Sequence, residues 1–291
     1  MLDQTVIGAA DKDVVISVDP SHLSAYAEAI GETNSVYFSK QSALKAGYPD
    51  ILIPLTYYFS LGLLRERPLG FLEDRSVDLK KILHGEQSFR YTRLAFAGES
   101  LMVSRRVGDF YRRKSGELLF IVVETRICDA SGDLVATSSE TLVLPRHPPI
   151  EKSVAREPIV HQKVDPGGLH PLRPGVVTKA LLRRFAHASG DQNPVHTDRL
   201  VARAAGYDDV FAHGMLSMAW LGRLLTDATR QENVHSFTAR FSRRMPLHAR
   251  PICNGLLRKH DAPSGDHEFD LSIQLYSGQP IATGAAAVAR S

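Results

Sequence analysis

Cysteine is scarce in this chain. The 291 residues include only Cys128 and Cys253, which lie far apart and form no Cys-x-x-Cys motif. This scarcity argues against a disulfide framework and against a cysteine-ligated zinc site, and it fits a reducing compartment. The N-terminus also lacks a basic stretch followed by an apolar core, so we expect a cytoplasmic protein without a secretory signal.

Long apolar runs and strong charge of either sign are also missing. The apolar run at residues 118–123 is far too short to span a bilayer, which takes about 20 residues. The net charge of +3 suits a small anionic ligand but does not provide the clustered basic surface that nucleic-acid binding requires. We therefore expect neither a membrane nor a nucleic acid as a partner.

The chain contains an internal repeat. Residues 29–56 align without a gap with residues 188–215, at a constant offset of 159, and nine of the 28 aligned positions are identical. The identical positions include a glycine, an asparagine and an Ala-Gly-Tyr tripeptide. Such ungapped self-similarity predicts a duplicated structural unit.

Both copies have the same predicted order of elements. Each begins with an amphipathic helix and continues through a polar loop and a small helix into a longer apolar helix, at residues 55–65 in the first copy and 215–228 in the second. Apolar segments bounded by turn residues then predict four strands in each copy. The predicted strands are residues 87–94, 101–111, 118–128 and 134–144, and then 236–245, 252–258, 269–275 and 281–288.

This order of elements predicts an α+β fold. A curved antiparallel sheet wraps around a long central helix in each unit, and the two units pair side by side, which hides sheet edges. We place the first unit at residues 1–145, a linker rich in proline and glycine at 146–175, and the second unit at 176–291.

One loop differs between the copies in a way that matters chemically. The second copy has Asp191 and His196 five residues apart, where the first copy has Glu32 and Tyr37. Tyrosine is a poor base near neutral pH because its pKa is near 10, whereas an imidazole beside a carboxylate forms an acid–base pair. The second unit is therefore the candidate catalytic unit, and the first is its degenerate copy.

Three neighbouring residues complete the predicted site. Pro194 prevents the loop from continuing as a helix, and the side chain of Asn193 can lock the resulting turn. Gly214 stands where the long helix should begin, and its N–H, aided by the helix dipole, suits a developing oxyanion. A base, an acid and an oxyanion donor are what the hydration of an enoyl thioester needs.

The loop Gly190-Asp191-Gln192-Asn193-Pro194-Val195-His196, followed by Ala212-His213-Gly214-Met215, resembles the signature of MaoC-like, (R)-specific type 2 enoyl-CoA hydratases. The resemblance implies a double hot-dog fold with a degenerate N-terminal copy. It also implies that Asp191 and His196 activate water, that Asn193 supports the loop and that Gly214 stabilises the thioester oxyanion. The implied substrate is an acyl-CoA or acyl-carrier-protein thioester, without a metal or redox cofactor, and we expect a homodimer.

Four further residues are candidates for substrate binding. Arg243 and Arg244 follow the active unit's helix region and are candidates for contacts with the phosphates of CoA. His213 and Met215 flank Gly214, although His213 can equally shape the turn before the helix and Met215 can equally belong to the core. Metal binding by His196 and Asp198 has only a weak signal, because His-x-Asp lacks a third ligand.

Three functions remain open from the sequence. The first is a reversible (R)-3-hydroxyacyl-CoA dehydratase, or enoyl-CoA hydratase. The second is a hydratase for a branched or dicarboxylic enoyl-CoA of the mesaconyl or itaconyl type, which arginines at the acyl end of the tunnel would indicate. The third is a non-catalytic subunit that binds acyl thioesters, and thioester hydrolysis is a weaker fourth.

Overall fold

The computed structural model of the chain describes residues 3–79, 82–113, 117–145, 168–258 and 265–290. Most of the predicted linker, residues 146–167, lies outside the described residues. Residues 168–175 run beside the edge of the sheet, where Gly168 and Leu172 form isolated bridges with Leu256 and Cys253. None of the described helices is long and apolar enough to cross a membrane.

The first copy begins with a short strand and helix and ends with four long strands. Its elements are β1 (Val14–Ser17), α1 (Pro20–Ala29), α2 (Lys40–Lys45), α3 (Tyr57–Leu61), α4 (Gly70–Glu73), β2 (Leu83–Tyr91), β3 (Ser100–Arg113), β4 (Leu118–Cys128) and β5 (Leu134–Pro145). The four predicted strands are therefore present with small changes of boundary. The sequence analysis missed β1, which pairs with β3 at one edge of the sheet.

The second copy repeats this order. Its elements are α5 (Lys179–Ser189), α6 (Arg199–Ala204), α7 (Gly214–Thr226), β6 (Val234–Phe241), β7 (Pro251–Leu257), β8 (His267–Leu275) and β9 (Pro280–Val288). The ends of α5 are encoded locally: the Thr178 side chain accepts the N–H of Leu181, and Gly190 ends the helix in the left-handed region at φ 77°.

Nine strands of the described residues form one continuous sheet in the order β1-β3-β4-β5-β2-β6-β9-β8-β7. All pairings between these strands are antiparallel, and the two copies meet where β2 pairs with β6 along residues 86–90 and 236–240. The predicted side-by-side arrangement of the two units is thus confirmed, since each copy covers an edge strand of the other.

The sheet encloses the central helix of the second copy. Ten of the 13 residues of α7 are buried, including Trp220, which is 2% exposed. These side chains share one core with α1, α5 and the inner faces of both halves of the sheet. Both cysteines are buried and unpaired, in agreement with the absence of a disulfide framework.

The prediction of a long helix at residues 55–65 is wrong, because α3 ends at Leu61. The guanidinium of Arg105, which projects from β3, donates hydrogen bonds to the backbone oxygens of Gly62 and Pro68 and to the carboxylate of Glu140. The Arg105 and Glu140 side chains are 3% and 6% exposed. The buried cation therefore binds the chain where it leaves the helix, and it does so at the inner face of the sheet.

Removing this cation should destabilise the fold. We expect Arg105→Leu to lower the free energy of unfolding by about 3–5 kcal/mol, because the buried carboxylate of Glu140 and two backbone oxygens lose their donor. Urea denaturation followed by circular dichroism measures the change. The matched control is Arg106→Leu, whose parent side chain is 68% exposed and pairs with Glu124. A surface pair of this kind contributes no more than about 1 kcal/mol, so equal losses in the two variants would contradict the assigned role of Arg105.

Candidate active site

The loop after α5 is shaped by Asn193. Its side-chain oxygen accepts the N–H of Val195 at 3.3 Å and caps a single 3₁₀ turn, Pro194–His196. The N–H of Asn193 in turn donates to a carboxylate oxygen of Asp191 at 3.2 Å. The predicted hydrogen-bonded turn is confirmed, and it brings residues five apart in sequence to the same side of the loop.

Asp191, His196 and His213 form a compact cluster. Each offers one side-chain oxygen or nitrogen, and these atoms all lie within 4.8 Å of one another. The two imidazole rings lie 3.9 Å apart between centroids, at an interplanar angle of 34°. His196 is 9% exposed and His213 is 1% exposed, whereas Asp191 is partly buried. The predicted catalytic pair is therefore held together in a shielded position.

Backbone oxygens fix the proton positions on both rings. Nδ1 of His196 lies 2.8 Å from the carbonyl oxygen of Phe211, and Nε2 of His213 lies 3.2 Å from the carbonyl oxygen of Asp191. Because a carbonyl oxygen only accepts, we assign the proton of the neutral ring to these nitrogens. Nε2 of His196 then presents a lone pair, as a general base requires.

The environment keeps the carboxyl charged and the imidazoles neutral. Burial opposes ionisation of Asp191, but the imidazoles of His213 and His196 and the N–H of Asn193 outweigh it, and its pKa lies below the usual 3.8. Burial lowers the pKa of His196 below 6.5, against the opposing effect of Asp191. Burial and the neighbouring His196 lower the pKa of His213 to about 3. At neutral pH the cluster thus holds one carboxylate and two neutral imidazoles.

Gly214 is the first residue of α7, as the sequence predicted. Its N–H belongs to the first turn, where backbone donors have no acceptor within the helix and the helix dipole is positive. A Cβ added to Gly214 would lie 3.1 Å from the ring of Phe241, so a side chain here would press on that ring. The N-terminus of α7 follows His213 directly and therefore lies beside the cluster.

The four predicted substrate-binding residues occupy different environments. His213 belongs to the cluster, whereas Met215 is 1% exposed and packs in the core. Arg243 is exposed at the end of β6. The guanidinium of Arg244 lies 4.3 Å from the ring centre of Tyr207 and 5.4 Å from that of Phe211. His213 therefore lies in the cluster itself, whereas Arg244 packs on Phe211, which in turn contacts His196.

The structure also brings a histidine of the first copy towards the site. His84 lies in β2, and its ring packs against Phe241 with centroids 5.2 Å apart. The sequence analysis missed His84. A usable signal was the glycine that follows it, because a glycine inside a strand often marks a bulge or a close backbone approach.

In the first copy, the side chain equivalent to His196 forms part of a hydrogen-bonded link within the fold. The hydroxyl of Tyr37 donates to Gln231 at 2.7 Å, and Gln231 in turn donates to the carbonyl oxygen of Ile53 at 2.8 Å. Burial and the carboxylate of Glu32 raise the pKa of Tyr37. A small cleft lies beside this loop, lined by Glu32, Tyr37 and Arg223. Asp191, His196 and His213 do not line this cleft, and the phenol of Tyr37 links the two copies.

The cluster is also compatible in spacing with a metal ion. Three ligand atoms within 4.8 Å of one another satisfy the distance requirement, and each imidazole already donates to a backbone oxygen, as metal-bound histidines commonly do. This set does not include Asp198, which gave only a weak His-x-Asp signal in the sequence. Asp198 instead caps α6 by accepting the N–H groups of Leu200 and Val201.

The neutral imidazoles make stability depend on pH. His213 stays neutral in the fold but takes up a proton below about pH 6.5 in the unfolded chain, so the unfolded state binds more protons there. The contribution of neutral His213 to the free energy of unfolding is complete above pH 6.5 and is lost as the pH falls. We expect His213→Gln to reduce the slope of unfolding free energy against pH by about 1.4 kcal/mol per pH unit below pH 6. Urea denaturation at pH 7, 6 and 5 measures this slope.

The control for this measurement is His22→Gln, which changes an exposed histidine in the first turn of α1. Its slope should match that of the parent protein. A parent-like slope in His213→Gln as well would show that His213 is not neutral in the fold.

Family models match both halves of the chain. The FAS1-like dehydratase domain region matches residues 5–138, and the MaoC like domain matches residues 167–246. The second match contains Asp191, Asn193, His196 and Gly214.

Individual proteins resemble nearly the whole chain. The 3-hydroxyacyl-thioester dehydratase X of Mycobacterium tuberculosis is 25% identical over 269 residues, which are 92% of this chain and 85% of that protein. A solved MaoC-like dehydratase superposes with a TM-score of 0.82 at 21% identity, over 98% of this chain and 99% of the other. A further Mycobacterium tuberculosis protein, described as having a double hot-dog fold, superposes with a TM-score of 0.65 at 12% identity, over 97% and 96% of the two chains.

The predicted double hot-dog fold is confirmed by these superpositions and by the arrangement of the sheet around α7. The two family models are both models of dehydratases, and at that level they also confirm the predicted hydro-lyase class. Because the two matched regions, residues 5–138 and 167–246, both fit dehydratase models, we conclude that the chain belongs to the MaoC-like dehydratase family.

Proposed function

We propose that this protein catalyses the reversible dehydration of an (R)-3-hydroxyacyl thioester to a trans-2-enoyl thioester and water. The main observation is the shielded cluster in which a carboxylate and a neutral imidazole with a free lone pair lie beside the start of α7. The name of the Mycobacterium tuberculosis relative, 3-hydroxyacyl-thioester dehydratase X, supports the same reaction.

Asp191 and His196 act together on water. In the hydration direction, the ionised Asp191 accepts one O–H of the water and Nε2 of His196 accepts the other. His196 takes one proton from the water as the oxygen attacks C3 and then delivers this proton to C2. The other hydrogen stays on the new hydroxyl, so one water adds across the double bond and both side chains return to their starting state. The lowered pKa of Asp191 and of His196 keeps both groups in the required state at neutral pH.

Gly214 stabilises the charge that develops on the substrate. As the bond to C3 forms, negative charge moves to the thioester oxygen, and the N–H at the head of α7 faces that charge with the positive end of the helix dipole. Because Gly214 has no side chain, the oxygen can approach the N–H closely. One donor of this kind contributes a factor of roughly 10²–10³ to the rate.

The substrate is an acyl-CoA or acyl-carrier-protein thioester. We place its acyl chain towards the first copy, whose shortened α3 leaves less helix inside the sheet, and we assign CoA phosphates to the exposed Arg243. Arg244 supports the loop through Phe211, whose carbonyl oxygen accepts from His196. We expect a homodimer.

The competing functions have less support. A dicarboxylic acyl group would need a free cation at its far end, but the buried Arg105 of the first copy is already balanced by Glu140. A binding subunit without catalysis would not need an ionised carboxylate and a neutral imidazole to be held close together in a shielded position. Thioester hydrolysis has no observation in its favour over hydration at this cluster.

The reaction can be tested with crotonyl-CoA and longer enoyl-CoA esters by the loss of enoyl-thioester absorbance. We expect Asp191→Asn and His196→Gln each to lower kcat by roughly 10²–10⁴-fold, because each removes one member of the acid–base pair. The matched controls are Asp198→Asn, which changes a carboxylate in the same loop and keeps a capping side chain, and the exposed His187→Gln. Inactivity of the parent protein on every ester, or equal effects of Asp191→Asn and Asp198→Asn, would refute the proposal.

Acid–base chemistry at this cluster needs no metal ion. We therefore expect extensive dialysis against EDTA to leave the rate of crotonyl-CoA hydration unchanged, as measured by the same absorbance assay. Loss of activity that is restored by adding a divalent cation would instead assign Asp191, His196 and His213 to a metal centre.

A further inference from the structure

His84 is turned inwards by a β-bulge. The pairing of β2 with β5 shifts between His84 and Glu86, so that Gly85 is an extra residue in β2. Gln87 and Phe89 face the core, and strict alternation would send His84 to the outer face. Because of the bulge, the side chain of His84 instead faces the inner side of the sheet, opposite the buried Leu142. A Cβ on Gly85 would lie 2.6 Å from Cγ2 of Val143, so only glycine fits at this point.

The ring of His84 lies near the head of α7. It packs between Phe59 at 5.4 Å and Phe241 at 5.2 Å, measured between ring centres. Phe241 also lies against Gly214 at the head of α7. His84 is thus separated from the proposed oxyanion donor by one aromatic ring, although it belongs to the other copy.

One ring nitrogen of His84 is buried without a hydrogen-bond partner. Nε2 is inaccessible to solvent and has no hydrogen-bond partner among the residues that the structure describes. Burial lowers the pKa of His84, while the carboxylates of Glu140 and Asp191 act in the opposite direction. A buried donor without a partner costs about 1–3 kcal/mol, and a phenylalanine would fill the same space without this cost. Packing alone therefore does not account for a histidine here.

The proposed reaction leaves one hydrogen-bonding position open. The water that adds to C3 gives its two hydrogens to Asp191 and His196, and one lone pair of its oxygen forms the bond to C3. The second lone pair has no donor among the cluster residues, because Nε2 of His213 already donates to the backbone oxygen of Asp191. A neutral imidazole with its proton on Nε2 is a suitable donor to that lone pair.

We propose that His84 completes the active site from the first copy, by donating a hydrogen bond from Nε2 to the oxygen at C3 of the substrate. That oxygen is the added water in one direction and the departing hydroxyl in the other. This role rests on the proposed dehydratase function. It means that one complete active site needs residues from both copies. The donor fixes the position of the oxygen and assists its departure, while proton transfer stays with Asp191 and His196.

The first test compares two ligands that differ only at C3. In the Asp191→Asn protein, which turns over slowly, calorimetric titration measures binding of (R)-3-hydroxybutyryl-CoA and of butyryl-CoA. Adding His84→Phe should weaken binding of the hydroxyacyl ester by roughly tenfold and leave that of butyryl-CoA within about twofold. His84→Gln, which retains an N–H donor, should keep most of the affinity. Equal weakening of both ligands, or no weakening of either, overturns the role of His84.

The second test separates binding from turnover. With Asp191 intact, His84→Phe should lower kcat for crotonyl-CoA hydration by roughly tenfold or more and leave KM within about twofold, because crotonyl-CoA has no oxygen at C3. His84→Gln should restore most of kcat. The control His235→Phe, at an exposed position of β6, should match the parent protein. Thermal unfolding checks that each variant is folded.

The outcomes distinguish the two proposals. A parent protein that hydrates enoyl-CoA esters, together with a fully active His84→Phe, overturns the role of His84 alone. A parent protein that neither hydrates nor binds these esters overturns the dehydratase function, and the role of His84 with it.

Discussion

The pairing of β2 with β6 is the contact on which the arrangement of the site depends. It runs from Glu86 opposite Arg240 to Arg90 opposite Ser236, and it joins the sheets of the two copies into one. The last residue of β6, Phe241, thereby lies between His84 on one copy and Gly214 on the other. The same pairing encloses α7, whose first turn supplies the backbone donor beside Asp191. A shift by one residue along β2 would reverse which side chains face inwards, so the register of this pair determines which groups reach the cluster.

Local signals account for most of what could be predicted. Thr178 and Gly190 mark both ends of α5, and the alternation of apolar residues gave the eight long strands with boundaries off by a few residues. The acid–base loop was found because the copies differ at Asp191 and His196 while the residues around them agree. The turn at Asn193 could be predicted because a short asparagine side chain commonly bonds to the backbone two residues further along the chain. In each of these cases the information lies within a few residues of the feature.

Features that depend on distant contacts were missed or misplaced. The length of α3 is set by Arg105, 43 residues beyond Gly62, and nothing near residues 57–65 reveals that this guanidinium will bind there. The inward direction of His84 follows from a register shift against β5, which no periodicity in β2 alone can show. Met215 was given two roles, and its burial places it in the core. In the first copy, Tyr37 stands at the position equivalent to His196 and donates a hydrogen bond to Gln231, so this loop links the two copies.

The single continuous sheet also has a consequence for how the chain is made. The strand that contains residues 86–90 gains its second neighbour only when residues 236–240 are available, and about half of the polypeptide separates these two strands. Contacts so far apart in sequence slow folding, and during synthesis the first copy emerges with an unpaired strand edge that can pair with other chains. That edge carries Glu86 and Arg90, and Glu86 later meets Arg240 across the seam. The charges favour the intended partner and discourage aggregation until the second half of the chain has left the ribosome.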